Sequence, residues 1–196
     1  MTDRERITLA NGRELTCEVL EVEDITELAG FLCSLPDVVR FFLPLAVNDA
    51  QQMKQFELAL ASGSYQAVLA RCGDEVVGVG LLKRPRYGWS GKVGEILVAI
   101  APPFQQQNLG RQLVLHLFDQ ARSAGLRQLY CFVLAKHTGL VESFERAGFH
   151  KAALLRDFAR DDLGRAADLC MLTRSVDDLW HKIEDSINFT GRAMEH

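Results

Sequence analysis

Five prolines and five cysteines are all that 196 residues contain, and neither type is arranged to staple or divide the chain. Cys17, Cys33, Cys72, Cys131 and Cys170 are scattered and odd in number. None forms a CxxC pair and no histidine pair sits nearby, which excludes a zinc ribbon or disulfide framework and implies reduced, mostly buried thiols. No metal site is expected. Positive charge is also short: 22 Lys and Arg against 26 Asp and Glu leave a net charge of -4, so no global field would hold a nucleic acid. No apolar run approaches membrane-spanning length, and the polar opening Met1-Thr-Asp-Arg-Glu-Arg6 lacks a signal core. A cytoplasmic protein with neither a membrane nor a nucleic-acid partner is the expectation. Repeats, low-complexity tracts and Pro/Ser-rich linkers are missing too. One domain over residues 1–175 is expected, with a C-terminal helix and tail over 176–196.

Several catalytic signatures are absent. There is no GxxxxGK[ST] loop, no GxSxG elbow and no HExxH helix. Gly78-Val-Gly80 lies inside a strand pattern and lacks the third glycine of a dinucleotide fingerprint. The Asn188-Phe-Thr190 sequon would be silent in the cytoplasm.

What is present is a mixed α/β series. Leu15–Leu20 reads as a first strand, and Asp24–Ser34 and Asp49–Ala61 have helical spacing. Tyr65–Arg71 and Glu75–Lys83 form a hairpin around Gly73-Asp74, followed by a strand over Lys92–Ile100 that Pro102-Pro103 must end. Leu109, Leu113, Val114, Leu117, Phe118 and Ala121 mark a strongly amphipathic helix closed at Gly125. A strand over Leu129–Leu134, a helix over Thr138–Ala147 capped by Thr138 and closed by Gly148, and a hairpin of Ala152–Ala159 with Ala166–Thr173 complete the domain. Ser175 then opens a helix with Val176, Leu179, Trp180, Ile183 and Ile187 on one face, which packs either on its own domain or against a second copy in a homodimer.

The stretch from Glu95 to Leu113 carries the chemistry. A buried strand breaks at proline, turns through a polar loop and enters a helix near Gly110. A helix mouth offers unpaired N–H groups and the positive end of its dipole, so a diphosphate is its natural guest. Gly110 lets backbone approach the phosphates, and Asn108 tolerates a left-handed turn. The run Gln105-x-x-Asn108-x-Gly110 resembles the Q/R-x-x-G-x-G/A pyrophosphate loop of the GCN5-related N-acetyltransferases (GNAT). Val98-x-Ile100-x-Pro102 resembles that family's strand exit, and Ser143-Phe-Glu-Arg-Ala-Gly-Phe149 its distal helix end. The likeness spans roughly residues 65 to 173. It implies a GNAT fold, an α+β architecture with a single mixed sheet of about seven strands flanked by helices and an added C-terminal helix. It also implies acetyl-CoA as co-substrate. By position, Gln105, Gln106, Gln107, Asn108, Leu109, Gly110 and Arg111 would hold the pyrophosphate, and Val98, Ala99 and Ile100 would flank the pantetheine arm. The chain departs from the family pattern in three places. Asn108 replaces the first loop glycine, His137 stands where an asparagine is usual, and Phe144 replaces the tyrosine that acts as general acid toward the leaving thiolate. By position, His137 and Phe144 are still expected to border the bound cofactor.

Transfer to an amine requires the neutral amine. A lysine with pKa about 10.4 is free in only about one molecule per thousand near neutrality, a handicap of about 4 kcal/mol. Glu95 is the candidate base, on the strand leading to the loop, with Leu97 and Ala99 on its face and Ile96, Val98 and Ile100 on the other. For the vacant acid, Tyr130, Cys131 and His137 lie on or just after the adjacent strand, and water is an alternative. Arg156, Asp157, Asp161, Asp162 and Asp168 line the last hairpin, which the resemblance places beside the acceptor. A protein lysine, a protein N-terminus, a polyamine, an amino acid and an aminoglycoside all remain open as acceptors. A catalytically weak module that binds acyl-CoA as a sensor is the rival reading, motivated by Phe144.

Overall fold

The computed structural model describes residues 4–36, 49–85, 87–88, 90–160 and 163–176. Its strands are β1 (Glu5–Thr8), β2 (Glu14–Val19), β3 (Tyr65–Cys72), β4 (Glu75–Lys83), β5 (Val93–Ile100), β6 (Gln128–Leu134), β7 (His150–Arg160) and β8 (Ala166–Ser175). The helices among the described residues are α1 (Ile25–Ser34), α2 (Ala50–Ala61), α3 (Leu109–Ser123) and α4 (Thr138–Arg146). Eight strands form one sheet in the order β1-β2-β3-β4-β5-β6-β8-β7. Every neighbouring pair is antiparallel except β5 and β6, which α3 connects as a crossover.

Amphipathic spacing explains the two layers. Leu28, Phe31 and Leu32 of α1 and Phe56 of α2 bury against Ala67, Leu69, Val79, Leu81 and Ala99 on one sheet face. Leu109, Leu113, Leu117 and Ala121 of α3, with Val141 and Phe144 of α4, bury against Val68, Ala70, Leu82, Ile96 and Leu129 on the other. β5 therefore alternates as expected, with Leu97 and Ala99 packed toward α1 and α2 and Ile96, Val98 and Ile100 toward α3. Asp49 caps α2, its carboxylate accepting from Gln51 N at 2.8 Å and Gln52 N at 3.2 Å. Gly125 (φ 68°) and Gly148 (φ 87°) end α3 and α4 in the left-handed conformation.

Three expectations change, and others fall outside the described residues. β1 is an eighth strand: its Glu-Arg-Ile-Thr run buries only Ile7 and shows no alternation to read, yet it pairs with β2 as an edge. His137, not Thr138, is the N-cap of α4, and it makes no side-chain cap hydrogen bond. β8 continues through Ser175, because Gln128 of β6 still pairs with it there. The C-terminal helix beyond Val176, its role in a homodimer, and Asp161 and Asp162 lie outside the described residues. No helix among the described residues is long and apolar enough to cross a membrane.

Candidate acyl-CoA site

The site begins where β5 and β6 part. They pair only at Val93 with Gln128, Gly94 with Leu129 and Glu95 with Tyr130. Beyond that point β5 stays paired to β4 through Ile100, and β6 to β8 through Leu134. The inner edges of the two strands face a cleft, and past Glu95 the β5 edge toward β6 has no strand partner among the described residues, the kind of edge that an extended amide chain can join.

At the open end of this cleft the chain turns into α3. Pro102–Phe104 form a 3-10 turn, and buried Phe104 lies under the Arg13 guanidinium at 5.6 Å. Gln106 (φ 59°) and Asn108 (φ 71°) both adopt the left-handed conformation that non-glycine residues rarely take. Asn108 is the N-cap of α3, and the first helical bond from this loop is Gln112 N to Asn108 O at 3.2 Å. Among the described residues, none of the backbone N–H groups from Gln106 to Arg111 has an acceptor within the protein. Successive N–H groups at a helix mouth with alternating backbone hand form an anion-binding nest. A Cβ placed on Gly110 would come within 4 Å only of Ile100 Cδ1, at 3.4 Å, so the surface above the nest is open.

Two of the loop side chains turn back onto the protein's own main chain. Gln105 Nε2 donates to Ile100 O at 3.0 Å and so braces the strand exit. Gln107 Nε2 donates to Pro103 O at 3.0 Å, folding that side chain back on the loop, while its Oε1 is buried without a partner. Leu109 is buried in the α3 core and offers only its N–H. Arg111 is exposed beside the nest. Val98 and Ile100 are half-buried against the α3 core, and Ala99 is buried on the opposite face. Gly78 and Gly80 gain a role that no nucleotide motif supplied. A Cβ on either would stand 3.3 Å from Leu109 Cδ2 or 3.1 Å from Leu117 Cδ1, so their bareness lets α3 lie close on the strand and brings its N-terminus to the cleft.

Glu95 lies at the last paired position before the strands separate, with its side chain 31% exposed. Lys83 Nζ approaches its Oε2 at 3.7 Å, and the Tyr130 hydroxyl donates to the same oxygen at 3.3 Å. Burial, then the Glu95 charge and its hydrogen bond, push the Tyr130 phenol up to about 12. A phenol there stays protonated, and passing its proton to a thiolate of pKa near 8.5 would be uphill by roughly three orders of magnitude. In this arrangement the Tyr130 hydroxyl serves as a donor to Glu95. Cys131 is buried on the α3 face, where burial first and then the Cys170 and Glu95 charges push its thiol up to about 12. His137 is half-buried, and its carbonyl accepts from Leu140 N at 3.0 Å and Val141 N at 3.1 Å. Phe144 is 7% exposed and stacks edge-on against Phe149 at 5.4 Å, a core residue with no proton to give. Asp168 Oδ1 accepts from Asp157 N at 2.9 Å inside a β7–β8 bulge, so the Asp168 carboxylate braces the hairpin's own backbone. No three His, Cys, Asp or Glu side chains among the described residues converge as metal ligands.

Sequence reading missed Lys83 and the left-handed Gln106. The long 84–92 loop leaves the β4–β5 register open, so nothing local pairs Lys83 with Glu95.

Comparison with known proteins adds to this geometry. A 74-residue stretch is 31% identical to the "[Ribosomal protein bS18]-alanine N-acetyltransferase" of Escherichia coli K12, covering 38% of this chain and 50% of that protein. The chain thus matches about half the length of this curated relative. Among solved structures, a GNAT-family acetyltransferase from Streptococcus pneumoniae superposes with a TM-score of 0.70 at 19% identity, covering 82% of this chain and 99% of that one. A ribosomal-protein-alanine N-acetyltransferase from Brucella melitensis does so with a TM-score of 0.69 at 18% identity, covering 81% and 98%. YncA from Salmonella typhimurium, solved with its cofactor acetyl-CoA, gives 0.66 at 17% identity over 83% and 94%. At these identities the structural likeness is one of fold. The model of the acetyltransferase (GNAT) family matches residues 35–149, more than half of the sequence, and the chain belongs to that family.

Proposed function

We propose that this chain is an N-acetyltransferase that moves an acetyl group from acetyl-CoA to a primary amine by direct attack in a ternary complex. The observation that carries this reading is the run of unpartnered N–H groups from Gln106 to Arg111 at the mouth of a 15-residue helix, beside a strand whose partner peels away. In the proposal these N–H groups hold the pyrophosphate of acetyl-CoA, with Arg111 adding charge, and the free edge of β5 over Val98–Ile100 pairs with the pantetheine arm. Acetyl-CoA supplies the activated thioester. The amine nitrogen bonds to the carbonyl carbon, the carbon–sulfur bond breaks, Glu95 takes the proton from nitrogen, and solvent protonates the departing thiolate. Phe144 has no hydroxyl and gives no proton to this step.

The acceptor we favour is the α-amine of a protein or peptide. Such an amine has a pKa of about 7.7–8.0, so roughly a tenth or more is neutral near pH 7, against about one in a thousand for lysine. A site with one candidate base and no α4 acid suits the acceptor that asks least of it. The relatives named for alanine acetylation of ribosomal protein bS18 support the same class. The proposed setting is the cytoplasm.

Calorimetry with acetyl-CoA and a CoA-release assay test this reading. The amine panel is alanine-initiated peptides, N-blocked lysine peptides and spermidine. Acetyl-CoA binding, turnover of the free α-amine and a Glu95→Gln rate lowered by about a hundredfold are expected. Failure to bind acetyl-CoA, or an unchanged Glu95→Gln rate, would remove the loop or the base from the account. The buried Phe144 favours one rival, a sensor module, which predicts acetyl-CoA binding without CoA release on any of these amines.

A further inference from the structure

The base of the proposed reaction does not stand alone, and the following inference rests on that reading of Glu95. Three neighbouring strands set one side chain each into a lateral row on the sheet face that carries α1 and α2. Lys83 of β4 is the register partner of Glu95, and Tyr130 of β6 is its partner on the other side. Both reach the same carboxylate oxygen, Oε2, at 3.7 and 3.3 Å, while Oε1 has no partner among the described residues.

The two partners differ in what they can fix. Lys83 is 51% exposed on a long flexible stem, so water screens its charge and the pair restricts geometry weakly. Tyr130 is half-buried, and its ring is wedged edge-on against Phe132, with centroids 5.6 Å apart and planes at 74°. A phenol on a short, two-torsion side chain has fewer positions open to its hydroxyl than the Lys83 ammonium has. It also stands at the crotch of the cleft, since Glu95 and Tyr130 are the final register pair before β5 and β6 diverge. A glutamate has three side-chain torsions, and a base useful to an incoming amine needs them set before the substrate arrives.

We propose that Tyr130 is a positioning residue for acetyl transfer: its hydroxyl holds Glu95 through Oε2 and leaves Oε1 to take the proton from the acceptor amine. Tyr130 contributes no proton of its own to the reaction. The α4 tyrosine of the family pattern is vacant here, and this hydroxyl enters from β6 with a different task.

Two measurements test it. In protein labelled with 13C at the glutamate carboxyl, the Glu95 resonance is assigned by its loss in Glu95→Gln. It should move in Tyr130→Phe and stay in place in Thr173→Val, the next residue along the row. This measurement needs no acceptor, so a resonance unmoved in Tyr130→Phe overturns the inference whether or not any amine is turned over. In the CoA-release assay with an alanine-initiated peptide, Tyr130→Phe should lower kcat roughly tenfold to a hundredfold, as expected for a lost hydrogen bond to a charged group, with KM for acetyl-CoA unchanged. The double variant should be no slower than Glu95→Gln alone. A slow Glu95→Gln beside a normal Tyr130→Phe, or losses that multiply in the double variant, overturns the inference and spares the base. An unchanged Glu95→Gln overturns both.

Discussion

Replacing Gly110 should separate what the loop does for folding from what it does for a ligand. Gly110 is the second residue of α3, has no positive φ, and a methyl there would touch only Ile100 Cδ1, at an ordinary 3.4 Å. Glycine in a helix is less favourable than alanine by about 0.5–1 kcal/mol, and in the first turn the lower figure applies. In a domain of this size about 0.5 kcal/mol is worth about 1–2 °C in Tm, so Gly110→Ala should hold or slightly raise stability. Binding should move the other way. If the phosphates lie against this turn as proposed, a side chain on Gly110 competes with them for space, and forcing an anion off one charge-assisted hydrogen bond loses about 1.5–3 kcal/mol. Acetyl-CoA should therefore bind roughly tenfold to a hundredfold more weakly, and Gly110→Val should bind it more weakly still. Scanning fluorimetry and titration calorimetry on the same preparations read both quantities. A Gly110→Val protein with normal Tm and a Kd within about twofold of the parent would refute the reasoning, since it would show that the phosphates sit elsewhere.

Other expectations concern ionisable groups away from the cleft. Burial alone would raise the Glu18 carboxyl, but hydrogen bonds and charge from Arg71 and Arg4 outweigh it and leave the pKa below its ordinary value. A depressed carboxyl stabilises the fold above its unfolded pKa, about 4.3, and loses that contribution as pH falls through the folded value. Glu18→Gln should therefore cost about 3 kcal/mol by urea unfolding at pH 7, and the gap to the parent should narrow as pH falls below about 4.3; a gap that does not narrow with falling pH would contradict the ion-pair account. Burial pushes Cys17 and Cys131 up to about 12, so both should resist a disulfide dye in the native protein while exposed Cys33 reacts first. Equal rates before and after unfolding would mean that β2 and β6 are not packed as described.

Local chemistry alone foretold much of this molecule. The proline stop after β5, the apolar stripe of α3, the glycine ends of α3 and α4 and the alternation around Glu95 are short-range facts, and each reappears in the coordinates. Asn108 was legible as a left-handed residue because few side chains other than glycine's tolerate that turn. Gln106 was not, since glutamine has no such preference and only the closure of the loop imposes its φ. β1 escaped notice because a four-residue edge with one buried side chain carries no period. The bond from the Asp157 N–H to the Asp168 carboxylate could not be read locally either, since it spans the two strands of the last hairpin.

A run of residues could by itself determine an anion-seeking helix mouth after a buried strand, because the helix dipole and the unpaired N–H groups follow from chain direction and nothing else. Which strands would part to admit a ligand, and which side chains would meet at Glu95, required the sheet. Lys83, Glu95 and Tyr130 are far apart along the chain, and their meeting is a matter of register between strands joined by a long loop and by a helical crossover. Register is set by how two apolar faces settle against α1 and α3 together, a global optimum that no local pattern encodes.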